Sequence, residues 1–152
     1  MIKSLDIILQ PRLKVLEIIS ELSIEQVNHI PAGFNNNIIW NLGHMIAVQQ
    51  GICYKRSGND IVVSEEYFDT YKPGTKPERF FDVTEFEKIK ALFTSTLIQL
   101  EADLKTDIFA NYPAFTTRYG IELASIDDAI QFLPFHEGLH IGTVVAMNKI
   151  VR

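Results

Sequence analysis

Apolar residues fall at steps of three and four over four long stretches of the chain, and that period predicts four amphipathic helices. The first stretch runs from Ile2 to Leu22 on Leu5, Ile8, Leu9, Leu13, Leu16 and Ile19. Pro11 lies within it; proline has no amide hydrogen and clashes with the carbonyl four residues back, so a kink or break is expected near Leu9. Ser23-Ile24-Glu25-Gln26 reads as a capping box opening a short helical turn that stops before Pro31-Ala32-Gly33. The second long helix is expected from about Asn36 to Arg56, with asparagines at its start and Ser57-Gly58-Asn59-Asp60 as its exit. Trp40, His44, Ala47, Val48 and Gly51 share one face of it. From Ile61 to Asp82 the periodicity fails, and Pro73-Gly74 and Lys76-Pro77 mark a turn-rich connection.

The third helix opens at a second box, Thr84-Glu85-Phe86-Glu87, and continues on Phe86, Ile89, Phe93, Leu97, Leu100 and Leu104. Residues 110–123 are irregular, with Phe115 to Ile121 as a short extended excursion. Ser125 caps the fourth helix, where Asp127 and Asp128 suit the positive end of the dipole, and this helix runs almost to Arg152. Four long helices with two long connections predict an all-α fold, a four-helix bundle.

With 152 residues, 47% of them hydrophobic, the chain has enough material for one core, and no shift in composition divides it, so residues 1–152 are expected to form a single domain. The balance of 14 basic and 19 acidic residues gives a formal charge of −5. The basic residues are scattered, which argues against nucleic acid as a partner. A lone cysteine, Cys53, forms no internal disulfide and suits a reducing compartment. The N-terminus lacks a continuous apolar signal region, and no run approaches the roughly 20 apolar residues of a membrane span. A cytoplasmic protein is the expectation.

Candidate chemistry is concentrated in His136-Glu137-Gly138-Leu139-His140 and in the distant His44. Two histidines four apart on a helix turn through about 400°, so both imidazoles leave from one stripe. A third imidazole from a facing helix completes three neutral nitrogen ligands with a further position open, which is the pattern of a catalytic rather than a closed structural metal centre. Bundle interiors hold metals in this way, with side chains from facing helices. Gly43, Gly138 and Gly142 stand beside these histidines, where glycine costs about 1 kcal/mol relative to alanine, and close approach of helices or a ligand would explain them. Pro134 would bend the fourth helix just before the ligands begin.

Asn37-Ile38-Ile39-Trp40-Asn41-Leu42-Gly43-His44 and Phe135-His136-Glu137-Gly138-Leu139-His140-Ile141-Gly142 resemble the two signature stretches of the DinB-like superfamily, which includes the YfiT-type proteins. The resemblance extends over nearly the whole chain through the order of helices and the long second connection. It implies a bundle of up-down-down-up topology, often a homodimer, with a divalent metal such as nickel or zinc. Carried over position by position, the ligands are His44, His136 and His140. Roles known in the superfamily include transferases and isomerases that use a low-molecular-weight thiol.

His136-Glu137-x-x-His140 also fits the letter pattern of zinc proteases, but only 12 residues follow His140, too few for the downstream helix that supplies their third ligand. Glu137 is a candidate general base or support for the ligands; exposure to solvent or a dimer salt bridge is the competing reading. Asn37 and Asn41 precede His44 by seven and three residues, and Thr143 follows His140 by three, so each is placed to orient an imidazole or touch a substrate. Helix capping explains Asn37 equally well, and simple burial explains Thr143. Trp40 is read as a core residue and His29 as a surface one. Arg118, in Phe115-Thr116-Thr117-Arg118-Tyr119-Gly120, is a candidate to bind a substrate carboxylate, against an ordinary surface ion pair. Cys53 is read as a buried structural thiol.

The expected function is that of a divalent-metal-dependent enzyme acting on a small molecule, either a thiol-dependent transferase or a hydrolase, in which the ion lowers the pKa of a bound group or polarises the substrate. The alternative is a dimeric, non-catalytic binding module with a structural or vestigial metal site.

Overall fold

The computed structural model describes residues 3–152, which fold into six α-helices and one two-stranded ribbon. In chain order these are α1 (Lys3–Ile18), α2 (Ile24–Asn28), α3 (Ile38–Gln50), α4 (Glu65–Tyr71), α5 (Val83–Asp103), β1 (Phe115–Thr116), β2 (Glu122–Leu123) and α6 (Ile126–Val151). The fold is all-α apart from that ribbon. Helices α1 and α3 each pack against both α5 and α6, so the four long helices close a ring. Among the described residues no helix is long and apolar enough to cross a membrane.

Two apolar clusters fill the ring. One gathers Met45, Ile46, Phe93, Val144 and Met147; the other gathers Leu5, Ile8, Leu97, Leu100 and Leu133. Each such side chain, fully buried, contributes about 1.5–3 kcal/mol against leaving it in water. Helix α3 is the central element, buried at every one of its 13 residues. A helix buried all round must be largely apolar, so its polar residues stand out as positions with a reason to be inside.

Several expected boundaries hold, and others move for identifiable reasons. Ser23 and Gln26 form the reciprocal capping box of α2. Ser125 caps α6, accepting from the amide of Asp128. At α5 the cap is Asp82 and not Thr84: the Asp82 carboxylate accepts from the Glu85 amide while Glu85 reaches back to the Asp82 amide. An aspartate is the better acceptor at that site, which draws Thr84 into the first turn. Pro11 does not break α1, which runs unbroken from Lys3 to Ile18; Ile2, the expected start, lies outside the described residues. The carbonyl that Pro11 leaves without an intrahelical partner belongs to Ile7, an exposed residue.

The connection expected to be irregular between Ile61 and Asp82 contains α4. Ser64 caps it by accepting from the Tyr67 amide, and Glu65 and Glu66 stand at its positive end. Tyr67, Phe68 and Tyr71 face α3. Gly43 is required by this contact, since a Cβ there would meet the Tyr71 ring at 2.5–2.7 Å. Gly138 and Gly142 have open space in the same position, so close packing within the chain does not explain them. After Gln50 the helical path widens into a π-turn over Gly51–Lys55, with the Arg56 amide donating to the Gly51 carbonyl at 3.0 Å. Such turns recur at functional sites.

Candidate metal centre

His44 from α3 and His136 and His140 from α6 converge, with ligand atoms of all three within 4.8 Å of one another. The ring centroids are separated by 5.3 Å for His44 and His136 and by 4.6 Å for each of the other two pairs. The i,i+4 spacing on α6 and the packing of α3 against α6 bring them together, as the histidine pattern predicts.

Hydrogen bonds decide which nitrogen His44 and His140 offer. The Nδ1 of His44 lies 2.7 Å from the Tyr71 carbonyl oxygen, which can only accept, so Nδ1 carries the proton and Nε2 presents a lone pair. That carbonyl is free because Tyr71 ends α4, where the last carbonyls have no partner within the helix. His140 Nδ1 lies 2.8 Å from Asn41 Oδ1. The orientation of the Asn41 amide is set by its other end, since Nδ2 donates to Asn37 O at 2.7 Å and to Asn36 Oδ1 at 3.0 Å. Oδ1 therefore accepts from His140, which again leaves Nε2 bare. Asn37 caps α3 through Oδ1, 2.9 Å from the Trp40 amide, and its Nδ2 donates to the Asn28 carbonyl at 2.9 Å. Trp40 stacks on His44 with ring centroids 4.5 Å apart and donates from Nε1 to Thr75. It is both a core residue and a wall of the site.

Burial holds all three imidazoles neutral. His136 is pushed down to about 2 by desolvation and by the neighbouring His140 and His44, and His140 down to about 4 by desolvation and then His44. His44 is lowered too, mainly by desolvation, although the bond to Tyr71 opposes it. Arg118 pushes each of the three in the same direction, so its charge is felt at the site.

Three neutral imidazoles suit zinc, nickel, copper and iron. The fit has a second support: Nδ1 of His136 is buried and has no hydrogen-bond partner among the described residues. Buried polar atoms are rarely left so, and an orphan on one of three convergent rings marks a site built for a further group. The cluster fits a metal-binding site.

The histidines open on a cavity of about 570 Å³. Trp40, Phe68, Phe115 and Phe132 make apolar walls, and Arg56 and Arg118 supply charge. Arg118 sits in the turn of the β1–β2 hairpin, held by the Thr117 amide on the Ile121 carbonyl and by Gly120 at φ +75°. The neighbouring Tyr119 anchors that turn to α6 by an edge contact with Phe135, 5.0 Å between ring centroids. Thr143 donates to the Leu139 carbonyl one turn back and does not line the cavity.

Glu137 is placed otherwise than either expectation. It is 2% exposed, so it is not a solvated residue, and its carboxylate is taken by Arg12, with Nη2–Oε1 at 2.6 Å and Nε–Oε2 at 2.9 Å. A rotation of about 100° per residue turns Glu137 from the histidine stripe toward α1. Both of its oxygens are occupied, so a general-base role at the cavity is not what this geometry supports. Arg12 is itself fully buried; its remaining donors reach the Phe93 carbonyl at 2.7 Å and Gln49 at 3.4 Å. Sequence reasoning missed this arginine because it reads as part of the polar face of α1. Arg56 and the Tyr71 carbonyl were missed as well; the Ser64-Glu65-Glu66 start signal of α4 was the available clue to the second. Cys53 is buried with its thiol pushed up to about 12 by desolvation, so it stays protonated at neutral pH.

In sequence, the chain matches the DinB superfamily over residues 10–144, a span that includes His44, His136 and His140. No curated protein matches the chain.

Proposed function

The chain belongs to the DinB superfamily, and from that membership we propose that it is a divalent-metal-dependent enzyme acting on a small molecule, a thiol-dependent transferase or a hydrolase. The observation that carries the proposal is the set of three neutral histidines, two buried and one half-buried, opening on a cavity, with an orphaned nitrogen on one ring. A structural site closes its coordination with protein, whereas these three leave a position toward the cavity. Nickel or zinc is the proposed ion, and when bound it would supply Lewis acidity to a group held beside the histidines.

The protein's own residues prepare that position. The Tyr71 carbonyl and Asn41 Oδ1 hold the Nδ1 protons of His44 and His140 and leave their Nε2 lone pairs unshared. Trp40 fixes the plane of His44 by stacking. The aromatic walls make one side of the cavity apolar, and Arg118 stands where a substrate carboxylate can be held. A low-molecular-weight thiol is the proposed co-substrate. The ring of four long helices supports a single-domain bundle of up-down-down-up order, and we place the protein in the cytoplasm as a homodimer with no nucleic-acid partner.

The test is elemental analysis of protein purified without a histidine tag, beside His44→Ala, His136→Ala and His140→Ala. Near-stoichiometric transition metal that falls several-fold in each variant is expected. Unchanged metal content in all three would remove the proposal. For the thiol reading, conjugation of an electrophile by bacillithiol, glutathione or coenzyme A should depend on the metal, and no turnover with any of them would count against it.

A further inference from the structure

The charge of the cavity differs from that of the chain. The protein carries a formal charge of −5, yet no aspartate or glutamate is among the described residues lining this cavity, while Arg56 and Arg118 are. Neither arginine forms an ion pair with a carboxylate among the described residues, although Lys55, next to Arg56, is taken by Glu65 at 2.6 Å. The guanidinium groups lie instead on aromatic rings: Arg56 is 3.9 Å from the centroid of Phe115, and Arg118 is 5.0 Å from that of Tyr119 and donates to its hydroxyl at 2.8 Å. A cation stacked on a ring keeps its in-plane N–H donors pointing outward for another partner.

The two arginines arrive from different elements, one from the end of the π-turn after α3 and the other from the hairpin turn. Arg56, and not Lys55, lines the cavity four residues after Ile52, where the π-turn ends. Between the arginines and the histidines the wall is apolar, with Ala47, Val48, Phe68 and Phe132.

We propose that the cavity selects an organic anion with an apolar or aromatic body, its carboxylate held by Arg56 and Arg118 and its other end reaching the three histidines. This deepens the reading of the cavity as a substrate site and rests on it. A metal dication would add to a wall that already carries two positive charges, so a neutral or cationic substrate would leave that charge uncompensated. Both arginines are solvent-exposed, so the attraction should weaken as salt rises.

Trp40, the chain's single tryptophan, lines the cavity and gives a fluorescence reading of occupancy. The probes are 4-phenylbutyrate and its neutral isostere 4-phenylbutyramide, titrated into metal-free and zinc-loaded protein. The carboxylate should bind about tenfold more tightly than the amide in both forms. Arg56→Gln and Arg118→Gln should each cut that preference several-fold, the double variant should erase it, and Lys55→Gln should leave it unchanged, with zinc content and helical circular dichroism constant throughout. Equal binding of the two probes, binding of neither, or a preference that survives in the double variant would overturn the proposal. A preference seen only with zinc and indifferent to the arginines would assign the anion to the metal, overturning the arginine site while leaving the metal reading intact. Failure of the protein to take up zinc, with the arginine-dependent preference preserved, would instead remove the metal reading alone.

Discussion

Asn41 shows how much of the centre depends on a single side chain. It is fully buried in a helix that is buried along its whole length, and its amide is pinned by two acceptors at one end so that the other end can take only the proton of His140. Replacing it with leucine keeps the volume and removes the acceptor. Supporting contacts of this kind are worth about 10- to 100-fold in metal affinity. Asn41→Leu is expected to lose affinity in that range in a competition titration with a chromophoric chelator, while His29→Ala binds as the wild type. Equal affinity in Asn41→Leu would mean that Asn41 only satisfies the end of α3. The sequence places Asn41 on the stripe of His44 but does not choose between orienting an imidazole and touching a substrate. That choice depends on α6, 99 residues away.

Among the elements, α1 and α6 are joined by a pair that the helical periodicity did not foresee. Arg12 and Glu137 lie 125 positions apart, both almost fully buried, and Arg12 also reaches α5 and α3. Removing one partner of a buried pair leaves a charge without compensation, at a cost of about 3–5 kcal/mol, whereas replacing both with apolar residues is often neutral. Arg12→Met should therefore lower stability in urea by roughly that amount. The double variant Arg12→Met/Glu137→Leu should recover most of it. If the single variant is as stable as the wild type, the pair is not what fixes α6 against α1. The letters of Glu137 invited a catalytic reading by their place beside His136. The direction of its side chain, set by the helical twist and by Arg12, argues for a structural one.

The whole molecule keeps three imidazoles neutral in one place, and this makes its stability depend on pH. An unfolded chain titrates histidine near 6.5, whereas the fold holds His140 at about 4 and His136 at about 2, first by desolvation and then by mutual repulsion of charge. The folded values are depressed, so the unfolded state takes up protons first; the contribution is complete above about pH 6.5 and drains away as pH falls, toward about 4 for His140 and about 2 for His136. The metal-free protein should lose melting temperature steadily between about pH 6.5 and about 4, before carboxylates with ordinary values near 4 begin to matter. His136→Ala should flatten the slope. A melting temperature constant across that window would mean that the histidines are hydrated and free to charge.

The order of long helices, three of the helix starts and the identity of the three histidines were legible in the chain, because periodicity, capping and i,i+4 spacing are local properties that no distant residue alters. Those local rules also set the limit. Helix α4 was lost in a turn-rich stretch, and the cap of α5 was read two residues late because Asp82 and Thr84 are both good acceptors and only the backbone chooses between them. What the sequence by itself determined is therefore which residues lie on which helical stripe. Tertiary packing decided which nitrogen of His44 and of His140 is free, that Glu137 belongs to Arg12, and that Arg56 and Arg118 share a cavity with no acid among the described residues lining it. The reason is physical: each of these depends on the direction of a donor or a charge relative to a partner brought close only by the fold, and hydrogen bonds and buried charges act over a few ångströms in space with no regard to distance along the chain.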